Sequence, residues 1–183
     1  HAHESLAMMP MVRLEAELAL GSQRVFLDRV EDDGYIPYNI GPVVEQAHMG
    51  TASMPLISYV AYDLYTITGD EGFLAEAYAS GSKQHRFWIE QRDADGDGLS
   101  EFGGFGVTES VRDLENVIWE EVTAPESVEA LDLNCWLVMD ARVLAAMAEQ
   151  LGEPTEAAEW TALADARATL INDTMWDPET RFY

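Results

Sequence analysis

The clearest helical pattern of the chain lies in SVEALDLNCWLVMDARVLAAMAEQLGEP, residues 127–154. Its apolar residues recur every three or four positions, the spacing of one helical face: Leu137, Ala141, Leu144, Ala148 and Leu151. Gly152 is the residue type that ends a helix, and Pro154 the type that occupies the first turn of the next. The pattern therefore predicts a helix over 127–151, a tight turn and a second helix over 155–175.

The segment before this pair is also helical by pattern. Residues 55–68 carry apolar side chains at helical spacing, and Gly69 supplies a stop. Asp70 has the side chain of an N-cap for the helix that follows. Ser80-Gly81-Ser82 predicts a break in that helix, which resumes over 83–91.

Strand signals are weak and short throughout the chain. Helices joined as antiparallel pairs are the most economical arrangement of such a sequence, and no short repeat period indicates a solenoid. At 183 residues and 48% apolar content, the chain is long enough to bury one sizeable core. We expect a single all-α domain over residues 1–183.

The charge is strongly acidic, with 34 Asp and Glu against 10 Lys and Arg and a net charge of −24. A surface of this sign repels nucleic acid and anionic membranes, so neither is expected as a partner. No apolar run approaches the roughly 20 residues of a membrane span. The single cysteine, Cys135, excludes an intrachain disulfide and is expected to be a small buried apolar side chain. The start, His1-Ala2-His3-Glu4, lacks an initiator Met and a signal pattern, which indicates a removed leader or a piece of a longer chain.

A dense acidic segment, DADGDGLSE over residues 93–101, has the spacing of a calcium loop. Positions one, three, five, six, seven and nine of such a loop would be Asp93, Asp95, Asp97, Gly98, Leu99 (through its carbonyl) and Glu101. Gly104 stands at position twelve, where an EF-hand has a bidentate Glu, so a closing ligand must come from elsewhere. The alternative is a solvated acidic turn in an acidic protein.

The next acidic pair offers acid–base chemistry. Glu109 and Asp113 flank Arg112, and a carboxylic acid can protonate a leaving oxygen when burial or a neighbouring charge raises its pKa. The alternative is an ordinary surface ion pair. Both residues lie in a connection over 93–126 that is too long for a simple helix link and too apolar for a disordered linker, which predicts an ordered functional loop.

Several aromatic residues could line a sugar pocket, since aromatic faces stack on pyranose rings: Tyr35, Tyr38, Phe105 and Trp119. For each of them core packing is the alternative. His48 and His85 have no convincing partners in the sequence and are expected to be structural.

Taken in order, these pieces resemble the trehalase-like six-hairpin glycosidases, and glycoside hydrolase family 63 in particular. The matching stretches are Gly34-Tyr-Ile-Pro37, Tyr62-Asp-Leu-Tyr-Thr-Ile-Thr-Gly-Asp70, Arg92-Asp-Ala-Asp-Gly-Asp-Gly-Leu-Ser-Glu101, Glu109-Ser-Val-Arg-Asp113, Leu131-Asp-Leu-Asn134 and Trp176-Asp-Pro-Glu-Thr-Arg-Phe-Tyr183. The resemblance covers nearly everything from Gly34 onward. It implies helical hairpins forming about half of an (α/α)6 barrel, with the rest of the barrel as partner.

The resemblance also implies a function, a glycoside hydrolase acting on an α-glucoside or α-mannoside by an inverting two-carboxylate mechanism. Asp113 would be the general acid, Glu109 and Arg112 would set its charge, and Tyr38 and Trp119 would border the sugar. The general base lies beyond the point that matches Tyr183, so residues 1–183 are expected to be inactive alone.

Calcium is implied as a structural ion. The resemblance carries the metal to the acidic loop and adds Glu129 as the ligand that closes the site. A calcium-stabilised helical binding module without catalytic activity is the rival reading. A different six-hairpin enzyme, such as a trehalase or a debranching enzyme, is a third.

Overall fold

A computed structural model describes residues 2–37, 39–40, 45–46, 54–101 and 129–183. The described residues form six helices and one two-stranded antiparallel pair: α1 (Ala2–Met11), α2 (Ala16–Leu27), β1 (Asn39–Ile40), β2 (Glu45–Gln46), α3 (Ile57–Thr68), α4 (Glu71–Gln91), α5 (Leu131–Leu151) and α6 (Pro154–Met175). The all-α prediction is confirmed. Successive helices pack in pairs, α1 with α2, α3 with α4 and α5 with α6, as the hairpins of an (α/α)6 barrel do.

The helix ends follow the residues that predicted them. Gly69 and Gly152 end α3 and α5 in the left-handed conformation, at φ +66° and +80°. The Asp70 carboxylate accepts a hydrogen bond from the Phe73 amide at 2.9 Å and so caps α4. Pro154 occupies the first turn of α6.

The predicted break at Ser80-Gly81-Ser82 is wrong, because α4 runs unbroken through it. Gly81 is buried against α3, and a Cβ placed on it would lie 2.3 Å from the hydroxyl oxygen of Ser58. The Ser80 hydroxyl donates to the carbonyl of Leu27 at 3.3 Å, which ties α4 to α2. These small residues therefore allow helices to approach closely instead of ending one.

The core has two parts. The larger cluster joins the apolar faces of all six helices, with Leu64, Phe73 and Leu144 among its fully buried members. A smaller cluster lies where α4 ends and α5 begins, built from Phe87, Trp88, Leu133 and Leu137. It supports the ends of the two helices between which the acidic segment lies.

The structure decides two side-chain predictions, one against the sequence and one for it. Cys135 is exposed, so its expected burial is wrong: it lies on the outward side of α5, between the buried Asn134 and Leu137. Tyr35 packs edge-on against Phe87, with ring centroids 5.8 Å apart, in agreement with the core-packing alternative.

His85 is fully buried and does have a partner. Its Nδ1 lies 2.8 Å from Oδ2 of Asp140, a contact that joins α4 to α5. The Trp160 ring of α6 meets the imidazole edge-on at 5.2 Å between centroids. The structural reading of His85 agrees with this packing.

Among the described helices, none is long and apolar enough to cross a membrane.

Candidate functional site

The acidic loop, residues 93–101, begins just after α4 and is shaped by two glycines and its own carboxylates. Gly96 and Gly98 have φ of +77° and +95°, values that residues other than glycine rarely adopt. The Asp93 carboxylate accepts from the Gly98 amide at 3.1 Å, and that of Asp97 from the Leu99 amide at 2.8 Å. The loop is thus a tight turn with its carboxylates gathered on it.

The carboxylates predicted as metal ligands do come together. Single oxygens of Asp93, Asp95 and Glu101 lie within 4.8 Å of one another, and so do oxygens of Asp95, Asp97 and Glu129. Asp95 belongs to both groups. Glu129 lies two residues before α5, so a residue far along the chain from the loop completes the second group.

Repulsion and burial act on this cluster together. Glu101 is 1% exposed, and burial raises its pKa above the ordinary 4.5, with the charges of Asp93 and Asp95 raising it further. Burial and the charges of Asp97 and Asp95 likewise raise the pKa of Glu129. The cluster therefore holds its negative charges at an electrostatic cost that a cation would offset.

One oxygen in the cluster has an unmet bonding need. Oδ1 of Asp93 is shielded from solvent and has no hydrogen-bond partner among the described residues. Carboxylate and carbonyl oxygens are the donors that calcium prefers. An orphaned oxygen within an all-oxygen cluster fits a hard cation better than it fits a solvated turn.

Behind the loop lies a buried polar cluster that the sequence reading did not assign to the site: Ser100, Asn134 and Arg167, all less than a tenth exposed. Arg167 donates to Oδ1 of Asn134 at 2.6 Å and to the Ser100 hydroxyl at 3.2 Å. Burial lowers the pKa of the Arg167 guanidinium, and the charges of Asp93 and Asp97 oppose that effect. A signal existed, because an arginine at 167 falls on the same helical face as Trp160, Ala164 and Ile171.

All but Tyr35 of the predicted catalytic and sugar-binding residues lie outside the described residues: Tyr38, Phe105, Glu109, Arg112, Asp113 and Trp119. They stay predictions. The structure does describe the residues that flank the segment carrying Glu109, Arg112, Asp113 and Trp119. The stretch 102–128 leaves the described fold at Glu101 and returns at Glu129, and both of these carboxylates belong to the acidic cluster around Asp95.

Comparison with known proteins gives a family and a fold. Residues 7–183 match the family described as the mannosylglycerate hydrolase MGH1-like glycoside hydrolase domain. An uncharacterized conserved protein from Thermus thermophilus, known from its crystal structure, shares the fold with a TM-score of 0.73 at 18% sequence identity. The alignment covers 98% of this chain and 58% of that one, so this chain spans little more than half the length of that relative.

Proposed function

The chain belongs to the mannosylglycerate hydrolase MGH1-like family of glycoside hydrolase domains, and on this premise we propose that the protein hydrolyses α-glycosides of mannose or glucose. The observation that carries the proposal is the family match, which extends over residues 7–183. It agrees with the glycosidase resemblance of the sequence motifs. The all-α hairpins agree with it as well.

The proposed mechanism is inverting hydrolysis with two carboxyl groups. Asp113 protonates the glycosidic oxygen as it leaves, and Glu109 and Arg112 set the charge around that carboxyl group. A second carboxylate activates water on the opposite face of the sugar, and the two groups stand about 6.5–9.5 Å apart to admit that water. Tyr38 and Trp119 border the sugar and stack on its ring.

The general base is proposed to lie outside residues 1–183. Support comes from the Thermus protein of the same fold, whose chain is covered to only 58% by this one. A pocket formed by a whole barrel would draw on residues that are absent here. We accordingly expect residues 1–183 alone to release no sugar.

Calcium is proposed as a structural ion of the same protein. Asp93, Asp95, Asp97, the Leu99 carbonyl, Glu101 and Glu129 would hold it. When bound, the ion would neutralise the cluster and join the two ends of the segment that carries Asp113, since Glu101 and Glu129 bound that segment. The chemistry itself would remain with the carboxyl groups.

The test of the function compares the wild-type full-length protein with Asp113→Asn. The substrates are α-mannosylglycerate, α-glucosylglycerate and the neutral methyl α-mannoside, and released sugar is measured. We expect wild-type turnover of at least one substrate and a loss of roughly 100-fold or more in Asp113→Asn, because the amide cannot donate the acidic proton.

Asp173→Asn is the matched control, since Asp173 is exposed on α6 and belongs to neither carboxylate group of the acidic cluster. It should leave turnover unchanged. Full activity of Asp113→Asn would remove Asp113 from the mechanism. Absence of turnover on every α-glycoside, combined with sugar binding that depends on Asp93, Asp95 and Asp97, would favour the rival calcium-stabilised binding module.

A further inference from the structure

The peptide groups on both sides of Ser100 are held by one buried side chain, the carboxamide of Asn134. Oδ1 of Asn134 accepts from the Ser100 amide at 2.9 Å, and Nδ2 donates to the Ser100 carbonyl at 3.1 Å. Ser100 and Asn134 are both fully buried. A side chain on α5 thus pairs with the loop backbone in the way that a neighbouring strand would.

The Asn134 carboxamide is itself locked in one orientation. Its oxygen also accepts from Arg167 at 2.6 Å, and its nitrogen also donates to the Ala130 carbonyl at 3.0 Å. All four bonds that an amide side chain can make in this geometry are made. Because Arg167 can only donate, the oxygen of Asn134 must face it, and the nitrogen must face the Ser100 carbonyl.

This clamp has a consequence for Leu99. The Ser100 N–H and the Leu99 C=O belong to one planar peptide unit, in which the two groups point in opposite directions. With the N–H fixed on Asn134, the Leu99 carbonyl is turned away from Asn134. On the other side of Ser100, the Glu101 amide donates to the Arg92 carbonyl at 2.6 Å, so the following peptide unit is fixed too.

We propose that Asn134 is the positioning residue of the acidic loop: by holding Ser100 it aims the Leu99 carbonyl and the Glu101 carboxylate at one cation. Arg167 keeps the Asn134 carboxamide in the orientation that this requires. The inference rests on the proposed calcium site. It states that the loop backbone is held in place by two side chains, on α5 and α6, that would not touch the ion. Replacement of residues that orient metal ligands in this way commonly lowers metal affinity about 10- to 100-fold.

The experiment measures calcium binding to the full-length protein by titration calorimetry, in wild type, Asn134→Leu and Asn134→Asp. Leucine has as many side-chain heavy atoms as asparagine and the same branch point but makes neither bond to Ser100, so we expect a dissociation constant raised about 10- to 100-fold. Aspartate keeps the acceptor for the Ser100 amide but sets a second acceptor against the Ser100 and Ala130 carbonyls, so its loss of affinity should be smaller than that of leucine. Asn172→Leu, at an exposed position of α6, is the matched control and should bind like wild type.

Terbium luminescence adds a readout that a merely structural role would not move. Lifetimes in H₂O and D₂O count the waters on a bound Tb³⁺ ion. If the Leu99 carbonyl turns away in Asn134→Leu, about one additional water should replace it, since such sites keep six to eight oxygen ligands. Asn134→Asp should show the wild-type number.

The outcomes separate this inference from the calcium site itself. Absence of wild-type calcium binding, or binding that Asp95→Asn leaves unchanged, overturns the site and this inference with it. Wild-type binding with equal affinity and hydration in folded Asn134→Leu overturns the role of Asn134 alone. If Asn134→Leu does not fold, amide hydrogen exchange in the wild type decides: slow exchange at Ser100 supports the clamp, and fast exchange rejects it.

Discussion

Among the single residues of the acidic loop, Glu101 is a carboxylate on which burial and neighbouring charges act together. It is a buried carboxylate whose two oxygens share one donor, the Ala94 amide, at 3.0 and 3.2 Å. Its neighbours Asp93 and Asp95 carry the same charge. Such a residue lowers the stability of the metal-free fold, and the proposed calcium would offset that loss.

The raised pKa of Glu101 makes the stability of the protein depend on pH. A carboxyl group whose pKa is raised by folding contributes stability that is present below its unfolded value of 4.5 and is lost as pH rises through the raised value. We therefore expect Glu101→Gln, in chelator, to be more stable than wild type at pH 7 by a few degrees in Tm. The difference should disappear on acidification below that unfolded value.

Calcium should reverse the order, because the ion needs the ionised carboxylate. With calcium at pH 7 the wild type should be the more stable of the two. Glu90→Gln, at an exposed position of α4, is the control and should follow wild type throughout. A Glu101→Gln protein that is less stable than wild type in chelator would contradict the assigned pKa shift.

Among the secondary-structure elements, the apolar spacing of the sequence predicted α3 to α6, and Gly69, Asp70, Gly152 and Pro154 predicted their ends, whereas α1 and α2 were not predicted. These signals are local, and the structure agrees with them. The reading failed at Ser80-Gly81-Ser82, because a small residue that ends a helix and one that admits a neighbouring helix look alike in sequence. Only the contact of Gly81 with Ser58 distinguishes the two.

The same limit applied to the candidate site. The spacing of Asp93, Asp95 and Asp97 predicted their cluster, since it lies within one loop. The buried support from Asn134 and Arg167 comes from residues far along the chain. No local pattern connects them to Ser100, and only the packing of α5 and α6 against the loop does so.

Two glycine variants test the close approach of α3 and α4. Alanine at 81 would place its Cβ 2.3 Å from the Ser58 hydroxyl oxygen, so we expect Gly81→Ala to lose about 1–3 kcal/mol of unfolding free energy through overpacking. Gly21→Ala is the matched control on α2, where a Cβ meets nothing within 4 Å. Alanine there should gain about 0.5–1 kcal/mol through helix propensity.

Urea denaturation of both variants measures the difference. If Gly81→Ala is as stable as wild type, α3 and α4 can accommodate the added Cβ at little cost in free energy, contrary to the packing described. Equal losses in both variants would trace the effect to helical glycine as such, and not to that contact.

At the scale of the whole molecule, the chain is an acidic helical domain of a glycoside hydrolase family. It spans 58% of the Thermus protein with which it shares a fold. Its net charge of −24 disfavours polyanionic partners, in keeping with the proposed small glycoside as substrate. Glu101 and Glu129 flank the 102–128 segment and both belong to the acidic cluster, so the proposed calcium would link the helical fold to the residues proposed for catalysis.

Proton NMR tests the inverting mechanism by following hydrolysis of an α-mannoside by the full-length wild-type protein and observing the anomer of the released sugar at the earliest times. Inverting hydrolysis by two carboxyl groups predicts that β-mannose appears first, and that the α-anomer grows in only by mutarotation. Asp113→Asn should give no signal above background. If α-mannose is released first, the inverting mechanism is contradicted. If no sugar is released from any α-glycoside, the proposed activity is contradicted.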